Sequence, residues 1–230
     1  MSSTASAPSS AASAPVSTSG ALDQLVVAPD GPLAGYDRDA DFGTWLHTAP
    51  GCDTRDVVLA GDLTETTVRH GCDVVAGTLH STYTGATVTG PTRAVQIDHR
   101  VPLALAWRTG ASGGTRAQRV SFANDPAELV AVEGSVNEAK GDGGPETWTP
   151  AADGCGYARA FVAVAAKYRL TISLGRKAAL QHLEATCTPC RRFPDCGARR
   201  NLRDLVVPLA EDCLDHRHQL RPESTSRCWG

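Results

Sequence analysis

No run of apolar residues in this 230-residue chain approaches the roughly 20 needed to cross a bilayer, so an integral membrane protein is not expected. Nor is there an excess of positive charge. Lys and Arg together number 22 against 25 Asp and Glu, a formal net charge of -3, and composition alone therefore gives no support to a nucleic-acid partner. Met1 to Gly20 has neither a charged residue nor a continuous apolar stretch. It reads as a disordered, low-complexity segment and not as a signal peptide. The Gly-rich stretch from Thr109 to Thr115 lacks the Lys and spacing of a phosphate-binding loop, so it receives no nucleotide role. There is no internal repeat. What is present is a hydrophobic content of 41%, ordinary for a chain with one sizeable core, and eight cysteines. An even number of Cys beside one Met and few Lys points to disulfides and an oxidising compartment, with a zinc site in a cytoplasmic protein as the alternative.

Three parts follow along the chain: a low-complexity segment and linker over 1–32, a folded domain over 33–187, and a Cys- and Arg-rich appendage over 188–230. Ala21 to Pro32 reads as extended linker. Asp53 can cap a helix from about Arg55 to Leu63, and Cys52 and Cys72 bracket that helix as a disulfide pair. Short strands are expected between Val74 and Val88. A strand from about Ala94 to Val101 leads to Pro102, placed to start a helix. A second strand covers Leu129 to Glu133, and Ser135 with Glu138 has the spacing of a capping box. Helical segments around Phe161 to Tyr168 and Ser173 to Thr186 lie between Cys155 and Cys187, a second candidate pair. Cys190, Cys196, Cys213 and Cys228 could form two further disulfides by any of three pairings, or Cys187-Thr188-Pro189-Cys190 with Cys213, His216 and His218 could hold a structural Zn²⁺.

The chemistry concentrates in Ile97-Asp98-His99-Arg100-Val101-Pro102 and, about forty residues on, Ser135-Val136-Asn137-Glu138-Ala139-Lys140. Asp98 and Asn137 offer oxygen ligands to a hard divalent cation, Mg²⁺ first and Mn²⁺ second, and His99 offers a base that titrates near neutrality. Adjacent residues of a regular strand face opposite ways, so this reading requires a bulge or a strand end at Asp98-His99. From Arg93 to Arg119 the only acid is Asp98, against five arginines. Arg100, Arg108, Arg116 and Arg119 are accordingly candidate nucleic-acid contacts, or else a solvated arginine face. Lys140, one helical turn beyond Asn137, is a further candidate for phosphate. Trp107 and Trp148 read as core.

The stretches VQIDHRVPLALAWRTGAS and FANDPAELVAVEGSVNEAKGD, with GYDRDADFGTW and GCDTRDVVLAGDL upstream, resemble the HNH endonucleases of the ββα-metal fold. More narrowly they are similar to the exported actinobacterial type related to the C-terminal nuclease domain of GmrSD-type, modification-dependent restriction enzymes. The likeness runs from about Gly35 to Cys187. It implies an α+β fold with a ββα-metal core carrying added helices and short strands. It also implies hydrolysis of DNA to 5′-phosphate and 3′-hydroxyl ends, with Asp98, His99 and Asn137 at the centre. Asn124 matches the middle Asn of the HNH pattern, which braces the loop carrying the His; its other reading is a cap for the Asn-Asp-Pro turn. No base-reading module stands out, so low sequence specificity is expected, with RNA open as a substrate. Two alternatives remain: a nuclease specific for modified DNA, and an exported, disulfide-stabilised binding protein on an inactive nuclease fold.

Overall fold

A computed structural model describes residues 18–187, with side chains from residue 20 onward. Cys190, Cys196, Cys213 and Cys228, and with them the zinc reading, lie outside the described residues. The architecture is α+β, with small antiparallel sheets and eight α-helices among the described residues.

The order begins with α1 (Thr18–Gln24) and α2 (Arg38–Phe42). A short ribbon of β1 (His47–Ala49) and β2 (Cys52–Asp53) leads to α3 (Thr54–Asp62). Asp53 caps α3 through a complete capping box with Asp56. A three-stranded sheet follows, made of β3 (Leu63–Arg69), β4 (Asp73–His80) and β5 (Thr87–Pro91). Then comes β6 (Val95–His99), paired with β7 (Leu129–Glu133). Between these strands sit α4 (Leu103–Arg108), entered through Pro102, and α5 (Arg116–Ala123). The chain continues through α6 (Gly134–Lys140), α7 (Gly154–Lys167) and α8 (Leu174–Ala185). Strand, insertion, strand and helix thus occur in the ββα order.

The β6–β7 hairpin has apolar partners on both faces, which explains why Leu129-Val130-Ala131-Val132 is continuously apolar instead of alternating. Val95, Ile97, Leu129 and Ala131 pack with Val58, Leu59, Leu63, Val74 and Leu79 from α3, β3 and β4. Val130 and Val132 face a larger core built by α1, α4, α5, α7 and α8. Each strand residue is assigned to a side by the two-residue period of the pleat.

Two expectations differ from the structure. Ala21 to Pro32 is not simply linker: α1 enters it, and Leu22 and Leu25 are buried in the larger core. Apolar side chains spaced three apart find a helical face there, and the segment beyond is tied down as well. Val27 bridges Ile172, and Asp30 receives a two-pronged hydrogen bond from the buried Arg176, at 3.0 Å on each arm. The Ser135–Glu138 capping box does not form. The helix starts two residues earlier, with Glu133 at its cap, and the Glu133 carboxylate instead accepts from Ser81 and Thr84.

Both bracketed cysteine pairs are joined, Cys52 to Cys72 and Cys155 to Cys187, closing sequence separations of 20 and 32 residues. Loop-closure entropy assigns each about 3–4 kcal/mol. Reduction of the native protein should therefore lower the midpoint of denaturant unfolding clearly, and removing Cys155 and Cys187 together by substitution to Ser should cost about 3 kcal/mol. An unchanged midpoint after verified reduction would contradict this.

Candidate active site

Strand β6 ends at His99, yet the pairing of Asp98 with Val130 and of His99 with Leu129 is regular, without a bulge. The two side chains consequently leave the hairpin on opposite sides. His99 follows Val95 and Ile97; Asp98 follows Gln96 toward α6.

On the His99 side the imidazole is buried, and Trp45 stacks on it with ring centroids 5.6 Å apart and planes within 9°. Its Nε2 lies 3.0 Å from the Ala123 carbonyl oxygen. A carbonyl oxygen only accepts, so the neutral ring carries its proton on Nε2 and leaves Nδ1 as the lone-pair nitrogen. Burial pushes the His99 pKa down to about 4, with smaller contributions from Arg38 and Lys140. The ring lines a cleft of about 250 Å³ shared with Arg38, Asp39, Thr44, Trp45 and Asn124.

The Trp45 position is built from two local devices. Gly43 closes α2 at a φ of 71°, a left-handed conformation that suits glycine, and turns the chain toward the cleft. Asn124 then fastens the strap: its Oδ1 accepts from Leu46 N–H at 2.9 Å, and its Nδ2 donates to Thr44 and Val120 carbonyls. Its partners are thus the segment that carries Trp45, in addition to its own helix.

On the Asp98 side, Lys140 extends from α6 with a fully buried ammonium. Its Nζ donates to Asp98 Oδ1 at 2.7 Å and to the His99 carbonyl at 2.6 Å. Tyr83 donates to Asp98 Oδ2 at 2.7 Å. Close by in the chain's path, the buried Glu128 carboxyl accepts from Val101 N–H, and burial holds its pKa well above the ordinary carboxylate range. Asn137 is half-buried and donates through Nδ2 to Gln96 at 2.8 Å.

Asp98 and Asn137 are therefore not set as a ligand pair for a divalent cation in this arrangement. Both oxygens of Asp98 already have partners, and one partner is itself a cation. Among the described residues no group of three or more His, Cys, Asp or Glu converges on a common point. Lys140 is not an exposed phosphate contact, because its charge is spent inside the protein.

The arginines divide similarly. Arg119 is engaged by Asp41 and the Gly114 carbonyl and lies 5.3 Å from the Trp107 ring. Arg108 reaches Asp30 and the Gly31 carbonyl. Arg100 is half-buried, with its Nε unpartnered. Arg116 is exposed beside α2, held through Nε by the Ala40 carbonyl. Arg38 and Trp45 were not among the residues singled out from sequence; the motif GYDRDADFGTW contained them, but nothing local tells that a segment over fifty residues upstream folds onto His99.

Residues 53–180 match the family model described as GmrSD restriction endonucleases, C-terminal domain. The chain belongs to this family. An uncharacterized secreted protein of Arthroderma benhamiae is 42% identical over 170 residues, covering 72% of this chain and 82% of that protein. No solved structure gives a significant match. The GmrSD C-terminal family is of nuclease type, which implies a nucleic-acid substrate, and the two disulfides together with the secreted relative fit an extracellular location. No helix among the described residues is long and apolar enough to cross a membrane.

The buried Asp98–Lys140 pair has a direct energetic consequence. Lys140→Met should destabilise the fold by about 3 kcal/mol, because it strands the Asp98 carboxylate. Adding Asp98→Asn should return part of that loss. Equal stability of Lys140→Met and the parent in denaturant titrations would show that the pair is not formed.

Proposed function

We propose that this GmrSD C-terminal family member hydrolyses DNA phosphodiester bonds with low sequence specificity, His99 serving as general base through Nδ1. The observation that carries this reading is the fixed tautomer of His99 at the wall of a cleft. The Ala123 carbonyl occupies Nε2, Trp45 sets the ring plane, and the remaining nitrogen is a base that stays neutral at physiological pH. A water deprotonated by Nδ1 attacks phosphorus; the bond from phosphorus to the 3′ oxygen breaks, and that oxygen leaves as a hydroxyl after protonation from solvent. Arg38, exposed at the same cleft, supplies positive charge to the phosphate. Asn124 and Lys140 act as positioning residues, the first on the Trp45 strap and the second on the His99 backbone.

The divalent cation expected at Asp98 and Asn137 enters no step here, since both Asp98 oxygens are engaged with Lys140 and Tyr83, while Asn137 bonds Gln96 through Nδ2. The same engagement favours a second reading, an exported binding protein on an inactive nuclease fold. Supercoiled plasmid incubated with the oxidised protein in Mg²⁺, Mn²⁺ or EDTA separates the two. Nicking that falls at least about a hundredfold in His99→Ala, with the fold intact, supports the nuclease. Equal nicking by the variant removes His99 from the mechanism; no cleavage of plain or modified DNA under any of the three conditions selects the binding protein.

The pH dependence has a definite sign. Because the folded-state pKa of His99 is depressed to about 4, base function is retained down to that pH and lost below it. The same group binds protons more readily when unfolded, so its stabilising contribution is present above about pH 6.5 and falls as the pH drops toward 4. Single-turnover rates whose acid limb lies near 6.5 would contradict the buried, neutral imidazole.

A further inference from the structure

A second cavity, of about 520 Å³, adjoins the Trp45–Leu46 strap without being lined by His99. Asn124 lines both spaces, and the strap residues Trp45 and Leu46 each line one of them. Arg116 also links the two. It lines the second cavity, while its Nη2 lies 3.5 Å from the position that a Cβ would take on Gly43, a residue of the His99 cleft.

The walls of this second cavity have a consistent chemistry. Arg116 is exposed but not loose, because the Ala40 carbonyl holds its Nε at 2.8 Å and leaves the outer nitrogens to solvent. Lys167 is 55% exposed and stands over the Tyr168 ring at 5.5 Å. Asp125 is the one acid lining the cavity, and it is already satisfied by Lys167, Tyr168 and the Ala127 N–H. Lys167 is itself the cation paired with Asp125, so the lining carries one net positive charge, with Arg116 the cation held by a carbonyl and not by a carboxylate. Val120, Pro126 and Leu46 supply apolar wall. Positive charge beside apolar surface suits a phosphodiester with its sugar and base.

We propose that this cavity is a second nucleotide subsite, in which Arg116 and Lys167 hold a phosphate flanking the one placed before His99. The subsite rests on the nucleic-acid reading of the His99 cleft, but it is separable from cleavage. Its occupant is a single strand of the substrate crossing the Asn124-braced strap from one space to the other. Arg116 was a candidate contact from sequence; Lys167 was not.

The test uses the full oxidised chain and fluorescein-labelled oligothymidylates of 2 to 12 nucleotides, with binding read by anisotropy across a salt series. The parent is compared with Arg116→Gln/Lys167→Gln and with Arg159→Gln, an exposed arginine on α7 outside the cavity. The double variant should bind the longer oligomers at least about tenfold more weakly, and its log–log salt slope should be smaller by about one to two phosphates. Arg159→Gln should match the parent. Cleavage is followed in parallel on the p-nitrophenyl ester of thymidine 5′-phosphate, which is small enough to use the His99 cleft alone. Parent and double variant should process it equally, while the gain in kcat/KM on lengthening the substrate should vanish in the double variant. Unchanged affinity and salt slope in the double variant overturn the subsite, as does failure of the parent to bind any oligomer. Binding that depends on Arg116 and Lys167 without cleavage of any substrate leaves the subsite standing and removes the nuclease reading instead.

Discussion

The ion pair between Asp98 and Lys140 is the constraint on which the ββα arrangement depends. An ammonium with no solvent contact must find acceptors, and it finds the Asp98 carboxylate and the His99 carbonyl, both on the last two residues of β6. Such a pair adds little net stability over well-packed apolar groups. Its larger effect is on register: sliding β6 by one residue would turn Asp98 away from α6 and place His99 against the ammonium. Helix, strand end and imidazole are thereby fixed relative to one another by one interaction.

The hairpin is also the wall between two cores. Because both faces are covered, the residues at its end are forced into distinct environments, an apolar aromatic one for His99 and a polar, closed one for Asp98. The low basicity of the imidazole follows from the first. Tyr83, reaching in from the turn after β4, and Glu128, whose pKa burial raises just before β7, complete the polar side. Trp45, Tyr83, Ala123, Glu128 and Lys140, from five places in the chain, therefore determine the surroundings of two adjacent residues.

Sequence made the ββα order legible because its signals are local: Pro102 opens α4, continuous apolar residues mark β7, and Asp53 caps α3. The two disulfides were legible because each pair brackets its helical segments. The cation site was not legible in the same way. Asp98 and Asn137 have the spacing of a ligand pair and Lys140 that of a phosphate contact, but spacing does not tell which acceptor a lysine takes when it is buried, and here Lys140 takes the Asp98 carboxylate. Leu22 and Leu25 were hidden by neighbouring polar, low-complexity sequence, since two apolar residues declare a buried face only when a partner surface is known. Trp45 and Arg38 come to His99 through tertiary contacts alone.

Arg176 extends this dependence to the whole described chain. Its guanidinium is buried between Asp30 and Glu146, and the bond to Asp30 spans 146 residues of sequence. A contact of that span forms only after nearly all of the intervening chain is available, and topologies with distant contacts fold slowly. During synthesis the Asp30 contact cannot form until α8 has emerged, so closure of the segment around Asp30 comes last, when α8 presents Arg176.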